Sequence, residues 1–237
     1  MNINVLVLTG EGINCEVETA NAFNLAGADC KVVHVEDFLE QENLDNIDII
    51  AFPGGFSYGD EIRSGKILAE QIAYGQRENL IKFIEQDKKP VLGICNGFQI
   101  LMQLDIFKGQ NQRKLTLAEN TSEQFLNDWV RLSVKSSHCI WLKDLKELFM
   151  PIRNREGLLS GELDNQEQVA LCYQAPYNGE KHNIAGLTNL HGNVLGMMPH
   201  PEAAQYPFLF PKDEELFQQN RTIFKNAIEY SRRLKNA

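Results

Sequence analysis

The chain has 237 residues, 43% of them apolar, which suits a single large α/β unit with a substantial core. Its 23 basic and 32 acidic residues give a formal charge of −9, the wrong sign for a protein that grips nucleic acid through phosphates, so no nucleic-acid partner is expected. Cys15, Cys30, Cys95, Cys139 and Cys172 are odd in number and contain no CxxC pair, which argues against a disulfide framework or zinc knuckle and for reduced thiols in a cytoplasm.

The first ten residues have no basic start and only a short apolar run, so neither a signal peptide nor a membrane span is expected. Ile3 to Leu8 reads as a buried strand. Asn14 is placed to cap a helix from Cys15 to Ala26, with Glu16 and Glu18 in its first turn and Gly27 closing it. Strands follow at Lys31 to Val35 and Ile47 to Phe52. From Glu61 to Gln86 apolar residues recur at helical spacing, with Gly65 and Gly75 as breaks. Val91 to Ile94 is a fourth strand running straight into a helix from about Gly97 to Leu104. This alternation is the signature of a parallel sheet covered by helices.

Beyond Leu104 the texture changes. A polar stretch from Lys108 to Asp128 precedes short strands near Trp129 to Val134, Gln168 to Tyr173, Ile184 to Leu187 and Val194 to Met198, read as mixed or antiparallel. An amphipathic segment from Asp213 to about Leu234 reads as a terminal helix. There is no repeat or low-complexity linker, so one domain over 1–237 is expected.

The sharpest chemical signal is Gly93-Ile94-Cys95-Asn96-Gly97, a GxCxG sequence where a strand turns into a helix. It is a nucleophile elbow with sulfur in place of oxygen, and the helix N-terminus favours the thiolate. Taken alone it is equally a small core cysteine in a tight turn. A nucleophile needs a base. Of the five histidines only His200 has a rigid frame with an acid close by, in Met198-Pro199-His200-Pro201-Glu202. Pro201 biases His200 to an extended backbone, in which alternate side chains share a face, so Glu202 can reach back to one ring nitrogen and leave the other for Cys95.

The loop Pro53-Gly54-Gly55-Phe56-Ser57-Tyr58-Gly59-Asp60 follows the third strand and opens on the same sheet edge. Free amides of Gly55 and Asn96 would make a two-donor oxyanion hole. The loop is no phosphate cradle, because Asp60 and Glu61 stand where Lys and Ser/Thr are required. Gly10-Glu11-Gly12-Ile13-Asn14-Cys15 fails as a dinucleotide fingerprint, since Cys15 replaces a glycine. The other Cys and His residues lack metal-ligand spacing, so no metal is expected, and Lys108 to Lys114 reads as a solvated loop.

Together these motifs resemble the class I, triad-type glutamine amidotransferases: an oxyanion Gly-Gly loop, GxCxGxQ at Gly93 to Gln99, and His-Pro-Glu at His200-Pro201-Glu202. The match in order and spacing is closer still to the glutaminase subunits of phosphoribosylformylglycinamidine synthase, over nearly the whole length. The resemblance implies a flavodoxin-like three-layer α/β domain, with a mostly parallel central sheet, helices on both faces and a smaller mixed or antiparallel sheet. It implies a Cys95, His200, Glu202 triad, an oxyanion hole from Gly55 and Asn96, and L-glutamine held with the help of Gly54 and Gln99. It gives Asn14-Cys15 a structural role. No cofactor is expected on this chain; ATP and Mg²⁺ belong to a large synthetase subunit that receives the ammonia, joined in some organisms by a small third subunit. Asn154-Arg155-Glu156-Gly157 departs from the family's usual His-Gly-Glu-Gly, a loop read as lying outside the triad and open to partner contacts. Rival readings are a glutaminase subunit of another amidotransferase; a cysteine peptidase or chaperone-like hydrolase, disfavoured by the placement of His-Pro-Glu; and a non-catalytic regulatory module with a vestigial elbow, disfavoured by the intact Cys95, His200 and Glu202.

Overall fold

In the computed structural model of the chain, residues 2–60, 62–107, 114–179, 182–211 and 214–236 are described; Glu61, most of the Lys108 to Lys114 loop and Asp213 lie outside them. Nine strands form one sheet in the order β2-β1-β3-β4-β11-β10-β9-β6-β7, and two more form a small antiparallel sheet, β5-β8. The first five in the large sheet are parallel: β2 (Asp29–His34), β1 (Asn4–Thr9), β3 (Ile49–Phe52), β4 (Val91–Ile94) and β11 (Val194–Met197). Their order is the flavodoxin-like one.

β3, β4 and β11 are buried at every position, as continuous Val/Ile/Leu runs require when helices cover both faces of a parallel sheet. β2 takes the edge with Asp29 and Lys31, charges that discourage further pairing. On the other side β10 (Ile184–Thr188), β9 (Val169–Tyr173), β6 (Leu126–Val134) and β7 (Glu147–Asn154) continue the sheet antiparallel. The predicted strands after residue 104 are therefore an extension of the main sheet. The separate sheet holds only β5 (Thr116–Glu119) and β8 (Glu156–Ser160).

One helical layer pairs α1 (Glu16–Leu25) with α6 (Glu214–Lys235); the other holds α2 (Val35–Leu39), α3 (Lys66–Gly75) and α5 (Asn96–Gln103). Gly65, at φ +71°, starts α3, and after Gly75 a short α4 (Arg77–Ile81) passes into a π turn at Lys82–Gln86. Both glycines break the helical run as expected. Asn14 does not cap α1. Cys15 is the capping residue without a side-chain cap bond, and the Asn14 Oδ1 accepts from the Cys15 thiol at 3.3 Å. The reason is tertiary: the Asn14 and Cys15 amides both donate to the Gly54 carbonyl, at 3.3 and 3.2 Å, and hold this loop against the loop after β3. Gly27 closes α1 as predicted, at φ +92°, with the Ala28 amide returning to the Phe23 carbonyl at 3.1 Å.

Among the described residues no helix is long and apolar enough to cross a membrane. The two layers are joined to the sheet by large apolar side chains. Phe23 of α1 is fully buried, its ring edge-on to Phe224 of α6 at 4.9 Å and to Trp141 at 6.3 Å. Phe23→Ala should cost about 3–5 kcal/mol through lost burial and the cavity left behind. Urea denaturation checks it, and a loss below about 1 kcal/mol would mean that this aromatic contact does not hold the layer.

Candidate active site

Four parallel strands, β1, β3, β4 and β11, release the chain at one edge of the sheet, and each released loop carries part of the site. β1 leads to Asn14 and Cys15, β3 to Gly54 and Gly55, β4 to Cys95 and Asn96, and β11 to His200 and Glu202. β7 also reaches them, since the antiparallel half of the sheet twists round far enough for the Arg153 carbonyl to accept from the Cys95 thiol at 3.5 Å.

Cys95 stands between β4 and α5 at φ +51°, ψ −104°, a conformation that non-glycine residues rarely hold and that costs about 1–3 kcal/mol. Its neighbours fix it there. The Cys95 amide donates to the Met197 carbonyl at 2.8 Å, and its carbonyl accepts from the Gln99 amide at 3.0 Å. The flanking glycines are steric necessities. A Cβ on Gly97 would lie 1.9 Å from the Phe52 carbonyl oxygen, and one on Gly93 would lie 2.8 Å from the Gly97 carbonyl oxygen. The GxCxG spacing is thus the only way for this turn to pass between β3 and its own helix, as the elbow reading required.

His200 and Glu202 are almost wholly buried, and the His200 Nδ1 and Glu202 Oε1 are 2.6 Å apart. The contact is made differently from the expected alternation along an extended segment. Pro201 opens a 3₁₀ turn, Pro201–Ala204, which folds the carboxylate back onto the ring. The segment is pinned from the other side by the His200 amide, which donates to the Pro151 carbonyl of β7 at 2.8 Å. Burial works against a charged imidazole, but the Glu202 carboxylate, with the Cys15 and Cys95 thiols beside it, holds the His200 pKa well above its ordinary value. Among the described residues the buried Nε2, the nitrogen expected to serve Cys95, has no hydrogen-bond partner.

The Ile13 to Gly55 bridge is closed by the Phe56 amide donating to the Gly12 carbonyl at 2.8 Å and the Asn14 amide donating to the Gly54 carbonyl. That pattern leaves the Gly55 amide outside the ladder, and Asn96 is the first residue of α5, whose amide has no helical acceptor. Among the described residues neither amide donates a hydrogen bond. Gly55 sits at φ +147°, and a Cβ there would fall 2.6 Å from the Gly12 carbonyl oxygen. Only glycine holds this amide in place.

A cavity of about 350 Å³ opens over Cys95 and is lined by Gly55, Gln99 and charges of both signs, among them Asp60, Glu119, Arg153, Arg155 and Glu156. Phe56 and Phe125, about half exposed with rings 6.3 Å apart, flank it. Burial pushes the Asp60 carboxyl up against hydrogen bonds from Ser64, Gly65 and Asn96, and Glu156 pushes in the same direction. Arg155 is paired with Glu119 at 3.5 Å. Gln99 lines the cavity with both ends of its amide engaged: Nε2 donates to the Glu156 carbonyl at 2.8 Å and Oε1 accepts from Asn96 at 2.9 Å. Gly54 serves the imidazole, since a Cβ there would lie 2.8 Å from the His200 Cε1.

The loop 154–157, read from sequence as lying outside the triad, is a wall of the Cys95 cavity. Buried Asn154 accepts from Asn120 at 3.1 Å through Oδ1 and sits under Gly157, so it holds the β7 to β8 turn. Cys15 was also missed as a site residue; its sulfur lies with His200 and Glu202 ligating atoms in a cluster no wider than 4.8 Å. The signal for it was the rule that every loop after a parallel strand opens on the carboxyl edge, which applies to the loop after β1 as much as to that after β3.

Residues 2–231 match the CobB/CobQ-like glutamine amidotransferase domain. Phosphoribosylformylglycinamidine synthase subunit PurQ of Methanococcus maripaludis is 35% identical, over 95% of this chain and 96% of that protein. The subunit of the same name from Dehalococcoides mccartyi is 32% identical over 98% and 99%. A chain in the structure of PurLQS from Thermotoga maritima superposes with a TM-score of 0.80 at 30% identity, covering 97% of this chain and 99% of that one. Matched over residues 2–231, the chain belongs to the CobB/CobQ-like glutamine amidotransferase family.

Proposed function

We propose that the chain is the glutaminase subunit of a phosphoribosylformylglycinamidine synthase. It hydrolyses glutamine to glutamate and ammonia and passes the ammonia to a synthetase subunit. That subunit uses ATP and Mg²⁺ to convert formylglycinamide ribonucleotide to the amidine in purine biosynthesis. The observation that carries the reading is the buried His200–Glu202 pair, 2.6 Å apart on the sheet edge that also bears Cys95. Similarity to a chain of PurLQS supports a complex with a large synthetase subunit and a small third one. Five free cysteines support a cytoplasmic setting.

In the proposed reaction the Cys95 sulfur attacks the side-chain amide carbon of glutamine and its proton passes to the His200 Nε2. The Gly55 and Asn96 amides, free of other acceptors, receive the developing oxyanion. His200 delivers its proton to the leaving nitrogen, ammonia departs, and a glutamyl thioester remains. Water activated by the same imidazole hydrolyses the thioester and returns the thiol. Glu202 accepts from Nδ1 throughout, fixing the tautomer and supporting the imidazolium. The free amino acid carries both an ammonium and a carboxylate, which suits a cavity lined by arginine and acidic side chains together. Gly54 and Gln99 shape the place where it lies, the first by leaving room for the imidazole and the second by bridging α5 to β8.

Cys95→Ala should cut glutamine hydrolysis by at least about 10⁴-fold, the scale seen when the nucleophile of such a unit is removed. With the synthetase subunit, ATP, Mg²⁺ and the ribonucleotide, the same variant should still form amidine from ammonium salts while losing glutamine as a source. Amidine formation from glutamine by Cys95→Ala would end the nucleophile assignment; a wild-type pair that makes none would end the substrate assignment.

The raised His200 pKa has a pH signature with a definite sign. The imidazolium that protonates the leaving nitrogen is lost only as pH climbs through this raised value, so the alkaline limb of kcat for glutamine hydrolysis lies well above pH 6.5. Glu202→Gln removes the main charge that raises it. The alkaline limb should then move to lower pH, with kcat down by about 10²–10⁴-fold. A pH-rate profile of the two proteins reads this, and an unmoved alkaline limb would mean that Glu202 does not set the imidazole's charge.

A further inference from the structure

We propose that Cys15, His200 and Glu202 form a binding site for one thiophilic divalent cation, Zn²⁺ by its chemistry, and that its occupation switches the glutaminase off. The three ligating atoms lie within 4.8 Å of one another and all three residues are buried. A thiolate, an imidazole nitrogen and a carboxylate oxygen are a donor set that Zn²⁺ accepts, with water free to take a fourth position. Bond lengths of about 2.0–2.3 Å in a tetrahedron put ligand atoms roughly 3.3–3.8 Å apart, so the cluster has to tighten by roughly 1 Å at its widest. The Nδ1 and Oε1 pair, now 2.6 Å apart, opens as the metal replaces the proton between them.

Two further observations point to a ligand. The Glu202 Oε2 is buried and, among the described residues, has no hydrogen-bond partner, an acceptor left over after Oε1 is spent on the imidazole. The two other donors also converge on one stretch of backbone: a Cβ on Gly54 would sit 3.3 Å from the Cys15 sulfur and 3.5 Å from the His200 Nδ1. Sulfur and ring thus face the same side of Gly54, where any side chain would collide with the imidazole. Cys15 is itself held in position, its amide on the Gly54 carbonyl and its carbonyl accepting from the Thr19 hydroxyl at 2.7 Å. Spacing along the chain cannot reveal this cluster, because residues 15 and 200 meet only through the parallel pairing of the sheet.

The consequence for activity rests on the glutaminase reading; the site does not. A cation on Nδ1 takes the lone pair that must hold a proton facing Glu202, and it draws the carboxylate off the ring. His200 then neither accepts the Cys95 proton nor returns it.

Cys95→Ala protein separates the two parts, since it lacks the nucleophile and its sulfur. Loaded with one equivalent of Zn²⁺, it should show one sulfur at about 2.3 Å and nitrogen or oxygen ligands at about 2.0 Å in X-ray absorption. Adding Cys15→Ser, or Cys15→Ala where serine is not tolerated, should remove the sulfur shell. A shell of nitrogen and oxygen alone, or a sulfur that survives loss of Cys15, overturns the site. In the wild-type complex Zn²⁺ should inhibit glutamine-dependent amination reversibly with chelator, and Cys15→Ser should raise the half-inhibiting concentration at least about tenfold. An unchanged half-inhibiting concentration overturns the switch, whatever the absorption data show. A complex without glutaminase activity sinks the proposed function and leaves the absorption result standing.

Discussion

The structure depends on a carboxylate and an imidazole kept together out of water. A buried, isolated carboxylate is costly, and so is a buried imidazolium; paired at 2.6 Å, each makes the other tolerable. The protein encloses the pair from every side it can. Pro201 turns the chain so that Glu202 faces its own neighbour, the Pro151 carbonyl holds the His200 amide, and Gly54 clears the space the ring occupies. Each of these is a backbone feature of a different element, so the ring cannot shift without moving β3, β7 or the turn after β11.

The sulfur is placed by a second set of constraints with the same logic. At Cys95 a strained backbone is held by a bond to β11 on one side and by the first turn of α5 on the other. Glycines remove every Cβ that would force the strand and helix apart. Strain of this kind persists only where the surroundings over-determine it, and here they do so through backbone hydrogen bonds and bare glycines, with the Arg153 carbonyl accepting from the thiol at 3.5 Å. The nucleophile is left pointing into a cavity while everything that fixes it lies behind it.

The Cys95 elbow, the His200–Glu202 pair and the parallel half of the sheet are legible because their signals are local. A GxCxG elbow, a His-Pro-Glu tripeptide and a Gly-Gly loop are short segments whose chemistry is written in adjacent residues. Three strands are not. β7 contains Pro151, which argues against a strand and is tolerated only because β7 is the edge of the sheet. β8 is five residues with a glycine, and β5 lies in a polar stretch, so neither shows alternation strong enough to stand out. The rest of the site depends on these strands: Glu119, Arg153 and Glu156 come to the cavity on β5, β7 and β8. Cys15 is hidden for another reason: its loop fits no chemical motif, and the resemblance gives Asn14-Cys15 only a structural role.

The loop from Asn154 to Gly157 joins two of the strands that local signals miss, so its place beside the cavity cannot be read from the sequence. In the fold it stands at the cavity wall, with Asn154 buried beneath it and Arg155 outside, paired to Glu119 of the facing strand. The two replaced positions therefore do different work. Asn154 is held by Asn120, which bonds both its carbonyl and its side-chain oxygen, so it takes a packing role in the turn. Arg155 is more than half exposed and carries a positive charge to the rim, where a pair at 3.5 Å in water contributes at most about 1 kcal/mol. A charge so weakly committed to its partner remains free to pair with another anion at the rim. Of the two departures, the one at 154 is therefore a matter of packing inside the turn, and the one at 155 adds a positive charge to the rim of the cavity.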